Sequence, residues 1–127
     1  MGGMIKITLI IMPTLDENGL ESEISKHFGK TLYFTIIEFE DDEIKDIKVI
    51  ESISRHKGGT KTPSEIIIDS KADMLICGGL GSKAVSMLQN KGITVFSGAT
   101  GKVKDVINEW KQGKLPIANE GSCVEGH

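Results

Sequence analysis

Cysteine is scarce in this chain, which has two, Cys77 and Cys123. Two thiols among 127 residues do not build the disulfide framework of a small secreted domain, so a reducing, cytoplasmic home is expected. Long apolar runs are missing too. The longest, Ile7 to Met12, contains a threonine and is strand-length, whereas a bilayer span needs about 20 residues; no membrane partner is expected. No basic segment precedes an apolar stretch of secretory length, and Met1-Gly2-Gly3 reads as a short leader before a start at Met4. A basic excess is also absent. Lys and Arg number 15 against 18 Asp and Glu, a net charge of −3, which disfavours non-specific nucleic-acid binding.

What remains is an ordinary globular composition, 39% hydrophobic and 26% charged. A chain of this length predicts one domain, able to bury roughly two-thirds of its unfolded surface. Ile5 to Met12 reads as a buried central strand ended by Pro13, followed by a loop from Thr14 to Gly19. Leu20 to Lys26 suggests a short helical turn. Leu32 to Phe39 and Ile44 to Ile50 suggest a hairpin across the polar turn at residues 40–43, the second strand bearing an exposed or edge face.

Thr62, Pro63 and Glu65 spell a capping box with proline at the first helical position, opening a helix to about Lys71. Met74 to Cys77 is a short buried strand, Ser82 to Asn90 a helix with Val85 and Leu88 inward, and Ile93 to Phe96 a further strand. Val103, Val106, Ile107 and Trp110 form the apolar stripe of a last helix, with Trp110 expected in the core. The order β-β-β-α-β-α-β-α predicts an α/β mixed sheet with helices packed on it. Residues 4–114 form the expected domain and 115–127 a flexible tail.

Three interruptions of this pattern carry the chemistry: Ser25-Lys26-His27-Phe28-Gly29, Arg55-His56-Lys57-Gly58-Gly59 and Ile76-Cys77-Gly78-Gly79-Leu80-Gly81. Each combines a metal-ligating type with glycine, which lets backbone approach a ligand closely. His27 is a candidate neutral imidazole ligand; its plain alternative is a loop residue bonded to backbone. His56 sits among Arg55, Lys57 and Lys61, either a solvated loop or an anion-attracting one in which Gly58 and Gly59 offer N–H groups. Cys77 is either a soft thiolate ligand or a small buried hydrophobe. Gly78-Gly79-Leu80-Gly81 lacks dinucleotide spacing and is no phosphate loop. Cys123 and His127 make a weaker Cys-x-x-x-His pair, too few ligands for a closed site. Ligands in such sheets sit beyond the carboxyl ends of parallel strands, where Cys77 is expected.

Taken in order and spacing, these segments, together with Tyr33-Phe34, Gly92 to Phe96 and Trp110 to Leu115, resemble the dinitrogenase iron–molybdenum cofactor-binding family over nearly the whole chain. The resemblance implies a ribonuclease H-like three-layer fold with a five-stranded mixed sheet between helical layers. It implies binding of an anionic metal–sulfur cofactor, an iron–sulfur or iron–molybdenum type cluster. His27 is the residue carried over first, with Phe28 and Gly29 beside it. The loop at His56, Lys57, Gly58 and Gly59 and the turn at Cys77, Gly78 and Gly79 would line the ligand face.

The expected function is thus a carrier or scaffold for such a cluster, not an enzyme, linked to nitrogen-fixation accessory work. His27, His56 and Cys77 are its expected metal ligands, with Cys123 and His127 weaker. The expected partners are the cofactor and a protein that delivers or receives it, the chain itself being a monomer or weak dimer. A metal-free regulatory or interaction domain pairing through its sheet edge is the alternative. A ribonuclease H-like metal-dependent nuclease is disfavoured, because Ile5 to Met12 holds none of the acids that two-metal chemistry requires.

Overall fold

The structure, a computed structural model, describes residues 6–26, 28, 31–51 and 62–118. Its strands are β1 (Ile7–Thr14), β2 (Tyr33–Glu40), β3 (Glu43–Glu51), β4 (Met74–Ile76) and β5 (Thr94–Phe96). Its α-helices are α1 (Pro63–Ser70), α2 (Ser82–Asn90) and α3 (Val103–Lys111). The elements follow the expected succession, and the short helical turn expected over Leu20 to Lys26 is present in part, as a 3-10 turn at Gly19–Glu21 between β1 and β2. Across the single sheet the strands lie in the order β3-β2-β1-β4-β5. β1 is antiparallel to β2 and parallel to β4, and β4 is parallel to β5, so the sheet is mixed.

Alternation along the strands divides the core in two. Ile11, Leu75 and Val95 face one way, onto Ile67 of α1 and Val85 and Leu88 of α2. Ile10, Met12, Ile37 and Ile76 face the other way, onto Val103, Val106 and Ile107 of α3. The result is three layers. Trp110 is only half-buried on this second side, its ring 5.4 Å from that of Phe39. The stripe expected from the sequence is real, but its last member lies at the rim of the core.

Pro13, expected to end the first strand, lies inside it, paired with Phe34. The N and C=O of one strand residue point to the same edge. Pro13 O accepts from Ser25 N at 2.9 Å, so its donorless nitrogen faces that side too. There β4 no longer runs alongside, since it meets β1 only at Ile10 and Ile11. No ladder bond is lost.

The β2–β3 hairpin forms as expected, turning through Asp41 (φ 59°) and Asp42, with one irregularity between Glu38 and Phe39. The α1 capping box is complete: Thr62 Oγ1 accepts from Glu65 N at 3.2 Å, and Thr62 N donates to Glu65 Oε1 at 2.9 Å. The segment expected to be a tail from Leu115 onward is packed through Ala118. Leu115 and Ala118 are buried, Ser97 N donates to Pro116 O, and Ala118 N donates to Val95 O at 2.7 Å. Ile117 bridges Phe96 antiparallel, so these residues cover the β5 edge. No helix of the described residues is long and apolar enough to cross a membrane.

Candidate functional site

The three parallel strands β1, β4 and β5 end together, and the connections that follow them meet at this carboxyl edge. The segment after β1, where the sequence suggests a short helical turn over Leu20 to Lys26, does not stay helical over that range. Instead it turns once at Gly19–Glu21 and then runs extended, with bridges at Glu23 and Ile24. On one side Leu15 N donates to Glu23 O (3.0 Å) and Ser25 N to Pro13 O (2.9 Å). On the other, Ile24 N donates to Gly101 O and Val103 N to Ser22 O, both at 2.9 Å. Ser22, Ile24 and Ser25 are buried. Residues 22–25 therefore join the loop after β1 to the loop after β5 through backbone bonds on both edges.

The turn after β4 is fixed just as closely. Cys77 N donates to Phe96 O (3.0 Å), Ala99 N to Cys77 O (3.1 Å) and Gly98 N to Gly78 O (2.9 Å). Gly98 has φ 81°, a conformation that glycine enters freely. Gly78 is enclosed between two backbones. A Cβ placed on it would lie 3.3 Å from Ala99 O, 3.5 Å from Lys26 Cα and 3.6 Å from Ser25 O. A Cβ on Gly79 would meet nothing within 4 Å. The missing side chain at position 78 is thus what lets the β4 turn touch the segment leading to position 27.

Phe28, expected at the ligand face, is a core anchor. It is buried, and its ring stands edge-on to Phe34 with centroids 6.3 Å apart. Cys77, expected as a soft metal ligand, is also a core residue. It has no accessible surface, belongs to the same apolar cluster as Phe28, and its Sγ lies 3.7 Å from Phe96 O. The alternation of β4 turns it inward beneath the glycines. His27, Gly29, His56, Lys57, Gly58, Gly59, Cys123 and His127 lie outside the described residues. Among the described residues no group of three or more His, Cys, Asp and Glu is gathered for a metal ion.

Two features were not singled out from the sequence. A hydroxyl cluster closes the end of β1: Thr31 Oγ1 lies 2.9 Å from Thr14 O and 3.0 Å from Tyr33 O, and Thr14 and Thr35 share a hydrogen bond of 3.0 Å. Thr35, a hydroxyl inside an apolar strand, was the available signal. The second is a charge clamp. Glu21 takes Lys104 at 2.8 Å and Lys102 at 3.1 Å, pinning the 3-10 turn to the start of α3. The hydrogen bond from Lys104, then that from Lys102, holds the Glu21 carboxyl below its ordinary value, and Glu21 raises Lys104 in return. Elsewhere, a cavity of about 470 Å³ lies between α1 and the outer strands, lined by Ile36, Lys48, Ile50 and Ile66 among others and by none of the residues singled out from the sequence.

Residues 9–113 match the family described as dinitrogenase iron–molybdenum cofactor. The chain is similar to an uncharacterized protein of Methanocaldococcus jannaschii, MJ0580: 33% identical over 114 residues, 87% of this chain and 92% of that one. Its fold is similar to the crystal structure of PH0822, with TM-score 0.72 and 30% identity over 87% of this chain and 96% of that one. It is also similar to the apo form of the orange protein from Desulfovibrio gigas, with TM-score 0.71 and 21% identity over 87% of this chain and 92% of that one. At that identity the second structure speaks to the fold alone.

Proposed function

Because the chain belongs to the dinitrogenase iron–molybdenum cofactor family, we propose that it binds and carries an anionic metal–sulfur cluster, of iron–sulfur or iron–molybdenum type, at the carboxyl edge of β1, β4 and β5. The observation that carries this reading is the contact of the Gly78 turn with Ser25 and Lys26. It brings the β4 turn close beside the residue before position 27, while Phe28, packed on Phe34, anchors the residue after it.

The cluster is cargo, so ligation must be sparse and reversible. His27 is assigned as its principal ligand through a neutral imidazole, with His56 assisting. Arg55 and Lys57 in the same stretch as His56, and exposed Lys26 beside His27, supply positive charge against the anion. Cys77 has no surface to offer such a cargo and is assigned to supporting the turn from beneath. The Cys123 and His127 pair is a secondary contact. The naming of the fold as ribonuclease H-like, and a cytoplasmic partner that loads or unloads the cluster, belong to the same reading.

Anaerobic titration with an iron–sulfur or molybdenum-containing cluster tests it. Wild type is expected to bind, and His27→Ala to bind about 10–100-fold more weakly. Equal affinity of the two proteins removes His27 from the site, and failure of wild type to bind any cluster tried removes the carrier reading.

A further inference from the structure

We propose that the open edge of the sheet is a self-association surface, on which β3 of one copy pairs antiparallel with β3 of a second copy about a two-fold axis at Ile47. The two edges of the sheet are treated differently. The β5 edge is covered by the chain's own Ile117 and Ala118. β3, nine residues long, is the outermost strand on the other side, and no described residue pairs with it beyond β2. Such an edge presents a row of N–H and C=O groups ready to accept another strand.

The charges on β3 choose the register. Asp46 and Lys48 stand on one face, opposite Glu38 and Ile36 of β2, while Ile47 stands on the other face opposite Ile37. Antiparallel strands place residues of the same face opposite each other. In a symmetric pair the axis must therefore pass through a residue. An axis at Asp46 sets Asp46 against its own copy, and an axis at Lys48 sets Lys48 against its own copy. Only the axis at Ile47 sets Asp46 of each chain opposite Lys48 of the other, with Ile47 against Ile47 on the opposite face. Asp46 and Lys48 are exposed, and neither joins an ion pair among the described residues.

Edge lysines normally discourage pairing. Here the axis at Ile47 sets opposite charges together, whereas the neighbouring axes set Asp46 against Asp46 or Lys48 against Lys48, so the edge favours its own copy in one register. The irregularity between Glu38 and Phe39 frees Lys45 from the ladder, and Lys45 pairs with Glu40 instead. Regular pairing is thereby limited to the residues around Ile47. The contact is short and isologous, so the dimer forms only at high protein concentration. This inference is independent of the cluster reading.

Sedimentation equilibrium of the full chain at low salt, from micromolar to millimolar concentration, tests it. The mass is expected to rise from 13.8 kDa toward twice that value. Lys48→Asp and Asp46→Lys, each of which sets like charges opposite each other, should weaken association about tenfold. The double variant Asp46→Lys/Lys48→Asp exchanges the charges and should restore it. Circular dichroism verifies that each exposed substitution leaves the fold intact. A monomer at every concentration overturns the proposal. So do single variants that associate like wild type, or a double variant no better than the singles.

Discussion

Gly78 and Lys26 meet backbone against backbone: a Cβ on Gly78 would sit 3.5 Å from Lys26 Cα, with Ala99 O nearer still at 3.3 Å. Ala99 is itself tied to the turn, its N–H donating to Cys77 O at 3.1 Å. Gly78→Ala therefore forces the β4 turn apart from the loops it touches and is expected to cost about 1–3 kcal/mol, the range for overpacking. Gly79→Ala, with open space around it, should stay within about 0.5 kcal/mol. Urea denaturation of the two variants compares adjacent glycines in one experiment. Equal costs would contradict the packing at Gly78.

Leu115 to Ala118 supplies a second test. Its docking combines the buried side chains of Leu115 and Ala118 with three hydrogen bonds, from Ser97 N to Pro116 O, Ala118 N to Val95 O and Gln89 Nε2 to Ala118 O. Ending the chain at Lys114 should cost about 2–4 kcal/mol, from lost apolar burial and exposed ladder groups on β5. Gln89→Ala alone should cost about 1 kcal/mol. A truncated chain as stable as wild type in urea would mean that the segment is undocked in solution.

The parts of this fold legible in the sequence are those whose signals are local. The α1 cap could be read because Thr62, Pro63 and Glu65 satisfy one another within a single turn. The α3 stripe could be read because Val103, Val106 and Ile107 repeat at the helical period and all lie buried. The misread parts depend on distant neighbours. Whether Pro13 ends a strand depends on where β4 stops beside it. Whether Leu115 to Ala118 is a tail depends on Val95 and Phe96, and whether residues 22–25 are helical depends on Gly101 and Val103. At the candidate site the sequence revealed which residues have the chemistry but not which are accessible. Cys77 and Phe28 are both buried in one apolar cluster.

The Glu21 clamp gives a pH dependence of known sign. The Glu21 carboxyl is depressed below its ordinary value near 4.5 by Lys104 first and Lys102 second. Its contribution to stability is therefore present above that ordinary value and lost as pH falls through the depressed one. Lys104 is raised above 10.5 by Glu21, so its contribution is present below 10.5 and lost as pH rises through the raised value. The clamp is exposed, so its effect is small and screened by salt. Carboxyl NMR titration should place the Glu21 midpoint below the ordinary glutamate range. Lys104→Met should move it back further than Lys102→Met. An unshifted midpoint in wild type would dissolve the clamp.

Cys77 separates support of the site from ligation. Its side chain has no accessible surface, and its Sγ lies 3.7 Å from Phe96 O in the cluster that also holds Phe28 and Val85. In a Cys123→Ser background, a thiol reagent should modify Cys77 only as fast as the β4 turn opens, and addition of denaturant should accelerate it sharply. Cys77→Ser should cost about 1–3 kcal/mol, because it buries a hydroxyl where a weakly polar thiol sat. Cys77→Ala should leave cluster affinity within about threefold of wild type while His27→Ala loses 10–100-fold, the size of loss expected when ligation is weakened. A Cys77→Ala variant as impaired as His27→Ala, in a protein that remains folded by circular dichroism, would return the thiol to the ligand set. It would also require the turn to open so that Cys77 reaches the cargo.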